Sequence, residues 1–256
     1  MIVVENRIVG DTPPFFTIIT VVRNGSETLQ RCINSIKSQS FKEFEYIIID
    51  GASSDGTLEI VRENADVISL AVSEVDQGLY FAMNKGLELA RGKYVGILNA
   101  DDIYFPNTLE LVRDAIFKDS NSEVIYGAMS YFSQPNKTHF IHSDELSKRM
   151  IFHPTCFVSN ETYKRIGDFN TKYRVAADYE FIMRCYKANA KFVGIDSVLA
   201  SFSGGGTSAR LRLRSMLETS EIQARFNSES IFRRYTKLLR MLIATYLRAA
   251  LGKARD

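Results

Sequence analysis

A chain of 256 residues, 45% of them hydrophobic and 24% charged, is long enough to bury one large core and carry an appendage, which excludes a disordered or fibrous protein. The net charge of +2 hides an asymmetry. Residues 206–256 hold eleven Lys and Arg against four Asp and Glu, a net of +7, while the rest of the chain sits at −5, so the tail is expected to meet something anionic.

No run approaches the roughly 18 apolar residues of a membrane span. Residues 1–16 carry Glu5, Arg7 and Asp11 where a leader would have an apolar core. Cys32, Cys156 and Cys185 are odd in number and far apart, so neither a disulfide framework nor a metal-type spacing is present. These features predict a cytoplasmic protein in a reducing compartment.

Residues 15–22, a short apolar and β-branched run, read as a buried strand. Asn24, Gly25 and Ser26 make a turn, after which Leu29, Cys32, Ile33 and Ile36 recur at helical spacing. Residues 46–49 form a second strand ending at Asp50. A tight loop over 51–56 leads to a helix that begins with Leu58, Ile60 and Val61. A third strand is expected over 67–72. Leu79, Met83, Leu87 and Ala90 mark a helix closed by Gly92, and residues 94–98 a fourth strand ending at Asn99. Pro106 opens a helix to Phe117. Aromatic β segments follow between Glu123 and Phe140, then a helix over 178–187 and a strand over 192–195. A glycine-rich loop at 203–208 precedes Leu- and Arg-rich helices to Asp256. Alternating strands and helices predict an α/β protein with a mixed, mainly parallel central sheet flanked by helices. Ligands bind such sheets beyond the carboxyl ends of the strands.

Four segments could carry chemistry. Asn99-Ala100-Asp101-Asp102 delivers two carboxylates and a carboxamide to a strand end. Mg or Mn takes hard oxygen ligands, often one or two carboxylates plus phosphate oxygens, and would bridge a diphosphate there. Equally, Asp102 could cap the helix near Pro106. Asp50, at another strand end, could accept from a base N–H or a ribose hydroxyl, while Asp55 or Thr57 could simply cap a helix. Asp178 could deprotonate an acceptor hydroxyl or act as an N-cap. His153 reads as structural. The chain lacks a P-loop, a Gly-x-Ser-x-Gly elbow and a His-Glu-x-x-His pair, and its basic tail has no nucleic-acid motif.

The order of these pieces is specific. Ile18 to Asn24 is followed by Ile48-Ile49-Asp50-Gly51-Ala52-Ser53-Ser54-Asp55-Gly56-Thr57, then by residues 74–86 with Asp76, Asn84 and Lys85, then by residues 92–102 with Asn99 to Asp102. In that order they resemble the nucleotide-sugar-binding half of family 2 glycosyltransferases. The likeness continues more weakly through His153-Pro154-Thr155, Gly167-Asp168-Phe169 and Asp178-Tyr179-Glu180-Phe181.

The resemblance implies a GT-A fold and, for most such enzymes, inversion. It implies that Val22, Arg23 and Asn24 line the base pocket and that Asp50 contacts the base or ribose. Asp76, Asn84 and Lys85 would border the donor site. Asp101 would bind Mg or Mn, helped by Asn99 or Asp102, and Asp178 would be the catalytic base. Three positions depart from the family's pattern, since Asn99, Gly51 and Ala177 stand where acids are usual. The chain has no Trp, so the Gln-x-x-Arg-Trp signature of processive synthases is absent and transfer of a single sugar is expected.

The expected organisation is a GT-A domain over 1–205, with a donor half at about 16–111 and an acceptor half at about 112–205, and a basic helical extension over 206–256. The expected partners are a nucleotide-diphosphate sugar and a glycan or lipid-linked acceptor, as in bacterial surface-polysaccharide synthesis. Residues 231–253 mix basic and apolar positions as a helix lying on an anionic membrane surface would, although packing on the main domain or on a second subunit fits too. A sugar-nucleotide-binding or scaffolding protein of weak activity is the rival reading, and a nucleotidyltransferase a third.

Overall fold

A computed structural model describes residues 1–6, 12–204, 211–227 and 236. The elements in chain order are β1 (Ile2–Glu5), β2 (Phe16–Val22), α1 (Leu29–Lys37), β3 (Phe44–Asp50), α2 (Thr57–Glu63), β4 (Leu70–Ser73) and α3 (Leu79–Leu89). Then come β5 (Tyr94–Ile97), β6 (Ile103–Tyr104), α4 (Thr108–Lys118), β7 (Val124–Tyr131), β8 (Gln134–His139), β9 (Phe157–Ser159) and α5 (Asn160–Ile166). Helix α6 (Ala177–Lys187), β10 (Phe192–Phe202) and α7 (Arg212–Asn227) follow.

One sheet runs β1-β4-β3-β2-β5-β9-β7-β10-β6, with β8 added beside β7. Strands β4, β3, β2 and β5 are parallel, as are β7 and β10. The antiparallel β9 joins these two groups. All seven residues of β2 are buried, which is why that segment reads as a continuous apolar run rather than an alternating one. Cores fill both faces. Ile19, Ile47 and Met83 lie in one, and Ile18, Leu29, Ile33 and Ile48 in the other.

The structure differs from expectation at short elements. Strand β9 has three residues and β6 two, too few to show a period. Strand β10 runs on to Phe202 because a register shift between Ile195 and Val198 carries it past the polar pair Asp196 and Ser197. Helix α7 supplies the first part of the expected Leu- and Arg-rich region, and its Ile222 is buried in the core. Residues 231–253, apart from Thr236, lie outside the described residues. Among the described residues no helix is long and apolar enough to cross a membrane.

The turn after α3 touches β2 closely. A Cβ on Gly92 would lie 2.5 Å from the Phe16 carbonyl carbon and closer still to the Thr17 nitrogen. Both are backbone atoms, so no rotamer change relieves the clash. Gly92→Ala is expected to destabilise the fold by about 3 kcal/mol, read as a lower urea midpoint at unchanged m-value.

Candidate active site

The loops after β2, β3, β4 and β5 gather at the carboxyl edge of the sheet and border a cleft of about 880 Å³. Of the residues expected to form a site, Val22, Arg23, Asn24, Asp76, Asn99 and Asp101 line this cleft. Asp50, Asn84, Lys85, Asp102 and Asp178 are not on its wall, and each has a different reason.

Asp50 is 2% exposed. Its carboxylate accepts from the Ser53 N–H at 3.0 Å, the Ser53 hydroxyl and the Ser73 hydroxyl at 2.6 Å. It therefore shapes the loop that follows. That loop in turn braces the first one. The Asn24 N–H donates to Ser53 Oγ at 2.7 Å, and Asn24 Oδ1 accepts from the Ser54 N–H at 2.9 Å. Asn24 sits at φ +52°, a left-handed conformation that asparagine tolerates better than most residues. The Gly25 N–H reaches Thr57 Oγ1 at 2.9 Å and the Ser26 N–H reaches Asp55 at 3.1 Å. Asp55 also receives the Thr57 hydroxyl, and these bonds hold its carboxyl well below the usual range. Gly56, rather than Asp55 or Thr57, is the N-cap of α2 and no side chain caps it, so the bonds of Asp55 and Thr57 chiefly brace the two loops.

Gly51, where the family pattern has an acid, lies beneath Asp76. A Cβ there would come 2.5 Å from Asp76 Oδ2 and 3.3 Å from Arg23 Cβ. Asp76 occupies the space that a longer side chain at 51 would need. Its other oxygen accepts from the Gly78 N–H at 2.8 Å, and Gly78 to Ala82, the start of α3, line the cleft. An open helix start of this kind favours anions. Asn84 is a clamp: its amide donates to the Phe169 carbonyl at 2.9 Å and accepts from the Phe169 N–H at 3.0 Å. Lys85 pairs with Glu74. Both contacts anchor α3, away from the residues that line the cleft.

In the acidic segment the two carboxylates are unlike. Asp102 is fully buried and accepts from the Ser203 N–H at 3.1 Å and the Asn99 amide at 3.2 Å. Burial, and then the charge of Asp101, push its pKa up to about 7. It is not a helix cap, since Asn107 holds that position for α4. Asp101 faces the cleft, accepts from the Ser203 hydroxyl at 2.8 Å, and has its carbonyl tied to Arg31 at 3.1 Å. Among the described residues no group of three or more His, Cys, Asp or Glu is placed to hold a metal ion. The donor set fits an ion that takes one carboxylate from the protein and its other oxygens from a diphosphate and water, and not an all-protein cage.

Asp178 lies one residue inside α6, whose N-cap is Ala176, so it is not the cap. Its Oδ1 accepts from the Tyr80 hydroxyl at 2.9 Å, and Tyr80 lines the cleft. Burial and the neighbouring Asp178 raise the Tyr80 pKa, so the phenol stays a donor. His153 is buried edge-on to Phe169, with no partner for Nε2 among the described residues, and burial lowers its pKa.

Sequence reasoning assigned no role to four residues that the fold brings here. Tyr80 holds Asp178, Ser203 bonds to both Asp101 and Asp102, and Tyr173 and Arg174 line the cleft just before α6. Only Tyr80 lies in a recognisable motif.

The model of the family described as glycosyl transferase family 2 matches residues 17–187. A PGL/p-HBAD biosynthesis glycosyltransferase of Mycobacterium bovis is 35% identical over 179 residues, covering 68% of this chain and 70% of its own. An uncharacterised glycosyltransferase of Methanocaldococcus jannaschii is 25% identical over 207 residues, covering 75% and 71%. Among solved structures, S. aureus TarS 1–349 in complex with UDP-GlcNAc superimposes with a TM-score of 0.69 at 20% identity, covering 89% of this chain and 71% of that one. Another structure of TarS 1–349 gives 0.65, and this chain covers 64% of it. A mannosyltransferase from Pyrobaculum calidifontis, in complex with GDP-Man and Mn2+, gives 0.66 at 18% identity, covering 90% and 69%. With the family model spanning two thirds of the sequence and the sheet matching these neighbours, the chain belongs to glycosyl transferase family 2 and has the GT-A fold.

Proposed function

We propose that this glycosyltransferase moves one sugar from a nucleotide-diphosphate donor to an acceptor hydroxyl with inversion. The observation that carries this reading is a cleft lined by both Asp101 and Tyr80, the latter donating its hydroxyl to Asp178. The proposed metal-binding acid faces the cavity, and the proposed base stands just behind its wall, bonded to a residue that lines it. The complexes of its structural neighbours with UDP-GlcNAc and with GDP-Man and Mn2+ support the donor class.

Val22, Arg23 and Asn24 hold the nucleotide on the edge braced by the Asp50 loop. Asp76 and the start of α3 border its phosphates, with Arg23 as a nearby cation. Asp101, backed by Asn99 and Asp102, would hold Mg or Mn, which would supply charge stabilisation to the leaving diphosphate. Tyr80 orients Asp178, which takes the proton of the acceptor hydroxyl as that oxygen attacks the anomeric carbon in line. No covalent enzyme intermediate is needed. Residues 16–111 then form the donor half and 112–205 the acceptor half. The +7 charge of the tail would bring the enzyme to the inner face of an anionic membrane bearing a lipid-linked glycan acceptor.

The test is a thermal-shift panel of nucleotide-diphosphate sugars with Mn. At a hundredfold excess over Kd a true donor adds about 2.7 kcal/mol of stability, or roughly 5 °C or more in a chain of this size. EDTA should reverse most of that shift. A panel in which no donor raises the melting temperature overturns the reading.

A further inference from the structure

Helix α7 lies beyond the family-matched residues 17–187, yet it supplies the contact that organises the start of α6. Glu218 is buried, and its carboxylate accepts three consecutive backbone amides: Arg174 at 3.0 Å, Val175 at 2.9 Å and Ala176 at 3.1 Å. Arg214 donates to the same carboxylate at 2.8 Å. Burial opposes its charge, but Arg214 and the three amides outweigh burial and keep its pKa below the ordinary glutamate value. Successive N–H groups converging on one anion form a nest.

The location gives this nest its meaning. Tyr173 and Arg174 line the cleft, and Asp178 follows two residues after Ala176. The N-cap Ala176 has no side chain with which to hold the first turn of α6. The helix start is therefore not fixed by its own sequence but by a carboxylate 42 residues further along the chain. The same helix grips α6 again, where Arg225 reaches Glu180 at 3.6 Å. Asp178 meets Tyr80 only if the first turn of α6 keeps this position.

We propose that Glu218 is a positioning residue for the transfer step, setting the Tyr173–Arg174 wall and Asp178 against Tyr80. Helix α7 is then part of the catalytic unit rather than an appendage. This rests on Asp178 being the base. A misplacement near 1 Å, made far from the chemistry, can lower rates about a hundredfold. Among the described residues no hydrogen bond joins Val22, Arg23 or Asn24 to this nest, and the donor loop should be untouched.

The test is Glu218→Gln in the full chain, with transfer kcat, donor Kd by calorimetry, and near-ultraviolet circular dichroism measured together. A carboxamide turns an NH2 toward amides that need an acceptor. The expected result is a kcat about 30-fold lower with donor Kd within threefold and a folded spectrum, a split that a merely structural role would not produce. Glu218→Asp keeps the charge but shortens the reach by one methylene, and should lower kcat about fivefold with the same split. A folded Glu218→Gln with kcat within threefold of wild type overturns the proposal. If that variant does not fold, Glu218→Asp with kcat within twofold overturns it, and so does a parallel loss of donor affinity in either. Asp178→Asn is assayed alongside. If it retains transfer, the base assignment has failed, whatever Glu218 does.

Discussion

Asp178→Asn is expected to lower kcat for transfer about 10³-fold and to leave donor Kd within threefold. Removing a general base typically costs between 10² and 10⁴. The substitution is nearly isosteric, and the new amide oxygen can still accept the Tyr80 hydroxyl that Asp178 receives at 2.9 Å. Geometry is kept and proton acceptance is lost. Asp178 does not line the pocket directly, so nucleotide binding has no reason to weaken. Donor titration and steady-state transfer on one preparation separate the two quantities. Transfer that survives the substitution would move the role elsewhere, and Asp76, a carboxylate that lines the cleft near the start of α3, would be the first to examine.

The parallel strands were legible because burial on both faces demands nearly continuous apolar runs, as in Phe16–Val22 and in residues 46–49 of β3. Phe157–Ser159 was not, because three residues after a tight turn carry no period, although this strand joins the two halves of the sheet. The site was legible at its strand ends and ambiguous within them. Asp50 and Asp101 both follow an apolar strand. One carboxylate is consumed by Ser53 and Ser73 and the other faces the cleft. Spacing along the chain cannot distinguish these, because the difference lies in what the neighbouring loops donate. Ser203 and Glu218 were invisible for a related reason. Each reaches its partners across about 40 to 100 residues through the packing of β10 and α7, and neither sits in a local pattern. The aspartates were easier to find than the groups that aim them.

Asp101→Asn should be the second large effect, with kcat/KM falling at least 10²-fold, about 2.7 kcal/mol of transition-state stabilisation. The Mn concentration for half-maximal activity should rise more than tenfold. Asp102→Asn should cost less than tenfold. Asp102 is fully buried, has a pKa near 7, and already spends its oxygens on the Ser203 N–H and the Asn99 amide. The two positions are also coupled. Part of what raises the Asp102 pKa is the charge on Asp101. When that charge is removed, the Asp102 pKa falls and its ionised fraction near neutral pH grows. Asp101→Asn therefore leaves a stronger acid one residue away, and some residual activation by Mn should persist and increase with pH. The double variant Asp101→Asn with Asp102→Asn should abolish that residue, so the combined loss should exceed the product of the single losses. Mn titrations of all three variants at two pH values check this. An unchanged Mn requirement in Asp101→Asn would remove the metal from this end of the cleft.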